Sequence, residues 1–265
     1  MPLPYHAGKS KLAKYISKIV HKKAQKNPKI EKYAEPFSGM GRVGIQVMLD
    51  DKNKTFKKYY FNDVNPTISV LFNSLNKGWL PKVENITQEK WENYKTKKNM
   101  YSAQKSFIGY TLGFGGQYFG GKNVRLEKRY KGDNFAINYQ RNKKIYLKEL
   151  QPYFTSSRFV YKEKSVFDMD YKNTIIYCDP PYVHEAFRAK KIWNEEKEKK
   201  LWKTIKKWLN PKKNNIVILS NSDKTNMMNE LKLKKIYGEY VKYGSWKKNW
   251  KKRKEMIFEV KLKSI

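Results

Sequence analysis

Apolar residues recur along the chain in two rhythms, one near 3.6 residues and one of 2, and the changes from one to the other mark the predicted elements. Leu12, Tyr15, Ile16, Ile19 and Val20 fall on one helical face of GKSKLAKYISKIVHKKA, with lysines around the rest. An amphipathic helix therefore opens after the PYHAGKS loop, with Ser10 as its cap. Ile30 to Ala34 reads as a short strand, EPFSGMG as a turn, and Arg42 to Leu49 as a second helix. KKYYFND reads as the next strand and VNPTISVLFNSLNKG as a helix that stops near Gly78. This alternation of helix and strand implies a parallel sheet with crossover helices.

From about Pro81 to Pro152 the rhythm breaks. WENYKTKKNMYSAQKSFIGYTLGF is helical in parts, and GGQYFGGKNVRLEKRYKGDNFAINYQRNKKI is rich in Gly, Lys, Arg and Tyr without a steady period. Alternation returns with RFVYKEKSVF, NTIIYCDPPY, the charged helix NEEKEKKLWKTIKKWLN, the strand NNIVILSNSD and a last strand, KEMIFEVKL. The expected fold is α/β: a Rossmann-like, mixed but mostly parallel sheet with helices on both faces. Residues 1–79 and 156–265 make up its main domain, and 80–155 an inserted, mainly helical or irregular subdomain. The chain shows no internal repeat.

Composition sharpens this picture. The 265 residues include 39% apolar residues, enough for a proper core. Lys and Arg number 58 against 24 Asp and Glu, a net charge of +34. Such a field attracts polyanions, and the high aromatic content suits stacking on bases, although lysine abundance can also follow the base composition of a genome. The lone cysteine, Cys178, excludes an internal disulfide framework, and with three scattered histidines (His6, His21, His184) no metal site is expected. No apolar run approaches the ~20 residues of a membrane span, and the N-terminus lacks a signal-peptide apolar region, so an intracellular, soluble protein is expected.

The chemistry concentrates at the predicted strand ends. Ile175, Ile176 and Tyr177 form a buried-type strand that Asp179-Pro180-Pro181 stops abruptly, because neither proline can donate a ladder hydrogen bond and each fixes its own φ. The product is a stiff turn with one carboxylate and an adjacent ring, Tyr182, where open α/β sheets bind ligands. It also reads as an ordinary strand-ending turn. YAEPFSGMGRVG places Glu35 at another strand end and Gly39 and Gly41 in a turn that lets backbone approach a ligand closely. Asp63, at the end of the second strand, is placed to accept ribose hydroxyls; as an alternative it caps the following helix.

With DPPY joined to that glycine turn, the chain resembles the Dam type of adenine-N6 DNA methyltransferase that uses S-adenosylmethionine. PYHAGKSKL is similar to that family's N-terminal lysine loop, EPFSGMG to its methionine-binding turn, NDVNP to its acidic second-strand motif, DPPY to its catalytic loop and LSNSD to the strand-end motif that follows. Tyr5 stands where the family commonly has tryptophan. The resemblance implies a catalytic set of Asp179, Pro180, Pro181 and Tyr182. It implies cofactor contacts from Tyr5, Lys9, Glu35, Pro36, Phe37, Gly39, Gly41, Asp63 and Asp179, with Phe37 by the methionine moiety, Lys9 near its carboxylate and Phe167-Asp168 at the adenine. Asp168 also reads as a turn residue.

The chemistry of the amine agrees with this. The lone pair of an exocyclic amine is delocalised into the ring, so acceptors must hold its two hydrogens out of plane while it attacks the sulfonium methyl; the Asp179 side chain and the Pro180 carbonyl are suited to this. A base inside a duplex must be extruded to reach them, and Tyr182 offers the receiving face. Within 80–155, Arg125, Lys128, Arg129 and Lys131 alternate with Tyr118, Phe119 and Tyr130, so this segment, together with Lys9, is the candidate nucleic-acid contact. A flexible basic loop that binds backbone alone remains the alternative. DNA is the expected partner, with no membrane and no metal and with a partner protein left open. An RNA adenine or cytosine-N4 acceptor, or a non-catalytic nucleic-acid-binding protein on the same fold, stays as the other reading.

Overall fold

The computed structural model describes residues 3–4, 9, 12–97, 100–120, 135–181, 193–222, 231–243 and 251–263. Its seven strands are β1 (Lys32–Glu35), β2 (Lys58–Asn62), β3 (Phe159–Lys162), β4 (Thr174–Cys178), β5 (Ile216–Ser222), β6 (Leu231–Tyr243) and β7 (Lys251–Leu262), in the sheet order β3-β2-β1-β4-β5-β7-β6. The helices among the described residues are α1 (Ala13–Gln25), α2 (Arg42–Asp50), α3 (Pro66–Asn76), α4 (Gln88–Thr96), α5 (Ala103–Leu112), α6 (Phe135–Phe154) and α7 (Glu195–Trp208). The fold is Rossmann-like α/β with a mostly parallel sheet, as the alternating rhythm implied. The chain divides into two compact units: Met1–Ile19, Ser38–Lys52 and Lys58–Lys164 in the first, Val20–Phe37, Asn53–Lys57 and Ser165–Ile265 in the second.

In the second unit, β1 and β5 flank β4 in parallel, with Ala34 opposite Ile176 and Cys178 opposite Leu219. All five residues of β4 are buried, which is why IIYC follows Thr174 as an unbroken apolar run rather than an alternating one. β7 runs antiparallel to β5 and to β6, with a register shift between Lys235 and Tyr237. The sequence reading did not foresee β6. LKLKKIYGEYVKY carries alternating lysines and apolar residues, and its regularity comes from pairing with β7 rather than from a local stop or start signal. α7 buries Leu201, Trp202, Ile205 and Trp208 and is capped by the Asn194 side chain, which accepts from the Lys197 N–H at 2.9 Å.

In the first unit, β2 pairs in parallel with β3, Phe61 opposite Tyr161. Their rings meet those of α3 and α6: Phe72 stacks on Tyr161 (centroids 5.1 Å, 5°), and Phe154 meets Phe159 edge-on at 5.1 Å. Within RFVYKEKSVF, where alternation returns, strand pairing stops at Lys162. The residues after it turn through a short 3-10 helix, Val166–Asp168, whose cap Ser165 accepts from Phe167 N–H.

Residues 80–87 run without regular structure, and two glutamines satisfy the backbone groups of two of them. Gln104 of α5 pairs with both backbone groups of Lys82 (2.9 and 2.8 Å), and Gln140 of α6 does the same for Glu84 (3.1 and 2.8 Å). Lys105 of α5, itself buried, donates to the Lys97 carbonyl beyond the end of α4, where a cation is favoured.

Candidate active site

The parallel strands β1 and β4 are neighbours, and the chain order reverses at them: β2 and β3 lie on one side of the pair, β5 on the other. In open α/β sheets that reversal opens a crevice at the strands' carboxyl ends, because the crossovers leaving the two strands go to opposite sides. Glu35 ends β1 and Asp179 follows β4 directly. Glu35 and Pro36 are buried, Asp179 is half-buried, Pro180 is buried and Pro181 is exposed. The turn thus keeps its rigid first proline in the protein and its second at the surface.

Beside these strand ends, in the same unit, Phe37 meets Trp193 edge-on at 5.4 Å, and Trp193 lies nearly parallel to Phe167 at 6.2 Å and 19°. The ammonium of Lys200 sits 4.7 Å from the Phe167 centroid. Two residues named from sequence, Phe37 and Phe167, are therefore joined by a third that the sequence reading missed. Trp193 is 5% exposed, and its one signal in the sequence was a large aromatic immediately before a helix cap. Asp168, next to Phe167, is exposed at the end of the 3-10 turn.

Cys178, between the apolar strand and Asp179, is fully buried, and burial followed by the nearby Asp179 charge pushes its thiol well above the usual range. A thiol held protonated cannot serve as a nucleophile.

In the first unit the glycine turn and Asp63 are joined directly. Gly39 and Gly41 adopt φ of +48° and +63°, and the backbone N–H of Gly39 donates to Asp63 Oδ2 at 2.9 Å. Asp63 Oδ1 accepts from the Asn65 N–H at 2.9 Å. The cap of α3 is Asn65, whose side chain accepts from Thr67 N–H at 3.0 Å, so Asp63 is not spent on capping. Each Asp63 oxygen keeps a further lone pair for a ligand hydroxyl. Burial raises its carboxyl above the ordinary value, opposed by the two backbone donors. A half-buried carboxylate held by backbone donors with lone pairs to spare fits the diol of a ribose. The Lys9 carbonyl accepts from Leu12 and Ala13 N–H (3.0 and 2.8 Å), so this lysine starts α1.

Tyr118 packs between Tyr110 (5.1 Å) and Phe119 (4.8 Å), half-buried, and Phe119 in turn lies 4.6 Å from Trp91. Tyr5, Tyr182, Arg125, Lys128, Arg129 and Lys131, together with Ser10, Tyr130, His6 and His184, lie outside the described residues. Among the described residues no cluster of three or more His, Cys, Asp or Glu could hold a metal ion, and no helix is long and apolar enough to cross a membrane.

A family model of D12 class N6 adenine-specific DNA methyltransferases matches residues 5–256. No curated protein matches the chain. Among solved structures it is similar to a provisionally assigned methylase from Haemophilus influenzae, at 11% identity over 92% of this chain and 87% of that one, with a TM-score of 0.39. It is also similar to a provisionally assigned RNA methyltransferase from Pyrococcus horikoshii (7%, 98% and 90%, 0.44) and to a provisionally assigned methyltransferase from Escherichia coli (8%, 98% and 91%, 0.41).

Proposed function

The chain belongs to the D12 class N6 adenine-specific DNA methyltransferase family, and from that premise we propose that it takes its methyl group from S-adenosylmethionine and holds the target amine at Asp179 and Pro180. It is an enzyme that methylates adenine N6 in DNA and requires a methyl donor. The observation that carries the finer reading is the Gly39–Asp63 hydrogen bond, which ties the glycine turn to a carboxylate with lone pairs left for a ribose.

In this reading Asp63 accepts the ribose hydroxyls, and Gly39 and Gly41 let the backbone lie close to the ligand. Glu35, Pro36, Phe37, Tyr5 and Lys9 serve the methionine end, and Phe167, Asp168 and the newly recognised Trp193 serve the adenine. When bound, the donor supplies an electrophilic sulfonium methyl. The Asp179 carboxylate accepts one N6 hydrogen of the target adenine and the Pro180 carbonyl the other, which draws the nitrogen lone pair out of conjugation and stabilises the positive charge that develops as the N–C bond forms. After transfer the nitrogen sheds one proton, and Asp179 Oδ is its first acceptor. Pro181 fixes the turn, and Tyr182 receives the extruded base.

Residues 1–79 and 156–265 serve catalysis, and 80–155 serves target recognition through Tyr118, Arg125, Lys128, Arg129 and Lys131, joined by Lys9. The test is Asp179→Ala assayed by nucleoside analysis of duplex DNA after incubation with labelled S-adenosylmethionine. N6-methyladenine should disappear while cofactor affinity falls only about two- to threefold, since one acceptor at the amine contributes little to binding the donor. Retained methyl transfer would remove Asp179 from the mechanism.

A further inference from the structure

We propose that Tyr110 is a positioning residue for the carboxylate that receives the cofactor's ribose: its hydroxyl, acting through Thr67 and Asn65, fixes the turn that aims Asp63. The inference rests on the reading of Asp63 as the ribose acceptor and adds to it a residue of the inserted region.

Asp63 is oriented by two backbone donors, Gly39 N–H and Asn65 N–H, both at 2.9 Å. The second donor is fixed only as well as the Asn65 backbone is fixed. Asn65 is held by its carbonyl, which accepts from Ile68 and Ser69 N–H (both 3.0 Å), and by its side chain, whose Oδ1 accepts from Thr67 N–H at 3.0 Å and from the Thr67 hydroxyl at 2.8 Å. A threonine hydroxyl has a single hydrogen, and here it goes to Asn65. The 2.7 Å contact between Thr67 Oγ1 and the Tyr110 hydroxyl must then run the other way, with Tyr110 donating. Asn65 Nδ2 closes the ring by donating to the Tyr110 oxygen at 3.5 Å. Three side chains thus form a closed cycle, Tyr110 to Thr67 to Asn65 and back, and the cycle sets which way the Asn65 amide faces.

The element supplying the donor makes this more than local turn chemistry. Tyr110 belongs to α5, within the inserted 80–155 region, 43 residues from Thr67, and its ring is 2% exposed. Burial, with the nearby Asp63 charge as a lesser cause, holds its phenol well above the ordinary value, so the hydroxyl stays a donor throughout the working pH range. The same ring packs on Tyr118 at 5.1 Å. A phenylalanine at this position would keep that packing and remove the donor alone, leaving Thr67 Oγ1 without its incoming hydrogen and the Asn65 amide without one of its fixed partners.

The test uses the full chain and Tyr110→Phe, with S-adenosylhomocysteine as the binding probe and steady-state methylation of duplex DNA as the second readout. Affinity for the probe should fall, and KM for S-adenosylmethionine should rise, by about five- to tenfold, with kcat at saturating donor changed less than about twofold. Thr67→Val should act alike, Thr67→Ser should restore wild-type values, and Tyr110→Phe combined with Thr67→Val should be no worse than either alone. If Tyr110→Phe does not fold, the Thr67→Val and Thr67→Ser pair decides. Asp63→Ala separates the two levels of the argument. Unchanged probe affinity in that variant sinks the ribose reading and this inference with it. If Asp63→Ala weakens the probe while Tyr110→Phe leaves KM unmoved, or changes only the thermal midpoint, the positioning role alone is overturned.

Discussion

Gly39 and Asp63, 24 residues apart, meet through a single 2.9 Å hydrogen bond from backbone N–H to carboxylate. Burial of that carboxylate shifts a pH dependence that can be measured, and the bond opposes the shift. Burial raises the Asp63 carboxyl above its ordinary 3.8, and only the ionised form offers both oxygens as acceptors. Affinity for S-adenosylhomocysteine should therefore be flat near neutral pH and fall on acidification, starting at a higher pH than a solvent-exposed aspartate would require. Because the folded-state value lies above the unfolded one, ionising Asp63 costs folding stability, a cost that builds as pH rises from about 3.8 through the folded value and stays constant above it. Asp63→Asn should bind the probe more weakly with that pH step gone. A binding profile in the variant that keeps the wild-type step would show that another group titrates.

Gly41 combines φ of +63° with close packing: a Cβ built there would lie 2.7 Å from Phe61 Cε2 and 3.2 Å from Phe72 Cζ. Gly41→Ala should lower unfolding stability by about 2 kcal/mol or more, the left-handed conformation accounting for roughly 1–2 kcal/mol and displacement of the Phe61 ring for the remainder. Gly39→Ala, opposed chiefly by its φ of +48°, should cost about 1 kcal/mol. Urea denaturation midpoints of the two variants order these effects. A Gly41→Ala protein as stable as the parent would mean that Phe61 yields freely.

Cys178 sits one residue before Asp179, yet it is fully buried and its thiol is pushed well above the usual range. A thiol-specific disulfide reagent at neutral pH should find no reactive group in the folded protein and one equivalent after unfolding in guanidinium. Cys178→Ala should leave kcat within about twofold and cost about 1 kcal/mol of stability. Loss of activity in that variant, with the fold intact, would argue for a thiol role that this site does not provide.

The net charge of +34 makes DNA affinity a salt measurement. Neutralising six or more phosphates with lysines and arginines makes log K fall steeply with log salt, so raising salt from about 50 to 200 mM should weaken duplex binding by about 1,000-fold or more. A near-flat dependence would take the basic surface out of recognition.

Much of the site was legible because its punctuation is covalent or local. Two consecutive prolines after TIIYC end a strand wherever they occur, and Gly39 and Gly41 announce positive φ at a strand-to-helix turn because a side chain would be strained there. Other features were hidden because their cause lies elsewhere in the chain. β6 is regular because β7 lies beside it. Trp193 gains meaning only once Phe37 and Phe167 both meet its ring, at 5.4 and 6.2 Å. Whether Asp63 serves a ligand or caps α3 was open, since an aspartate at that place can do either. The structure gives the cap to Asn65 and leaves Asp63 to the glycine turn.

By itself, then, the sequence determined the kinds and order of the helices and strands outside β6 and the inserted region, and the stiff acidic turn after β4, because backbone dihedral limits and hydrophobic periodicity act between near neighbours. Only the tertiary structure decided which strand ends lie side by side and which donors reach which carboxylate. Sheet order brings together Gly39 and Asp63, and the packing of α3 on α5 brings together Thr67 and Tyr110, pairs whose separation along the chain carries no local signal.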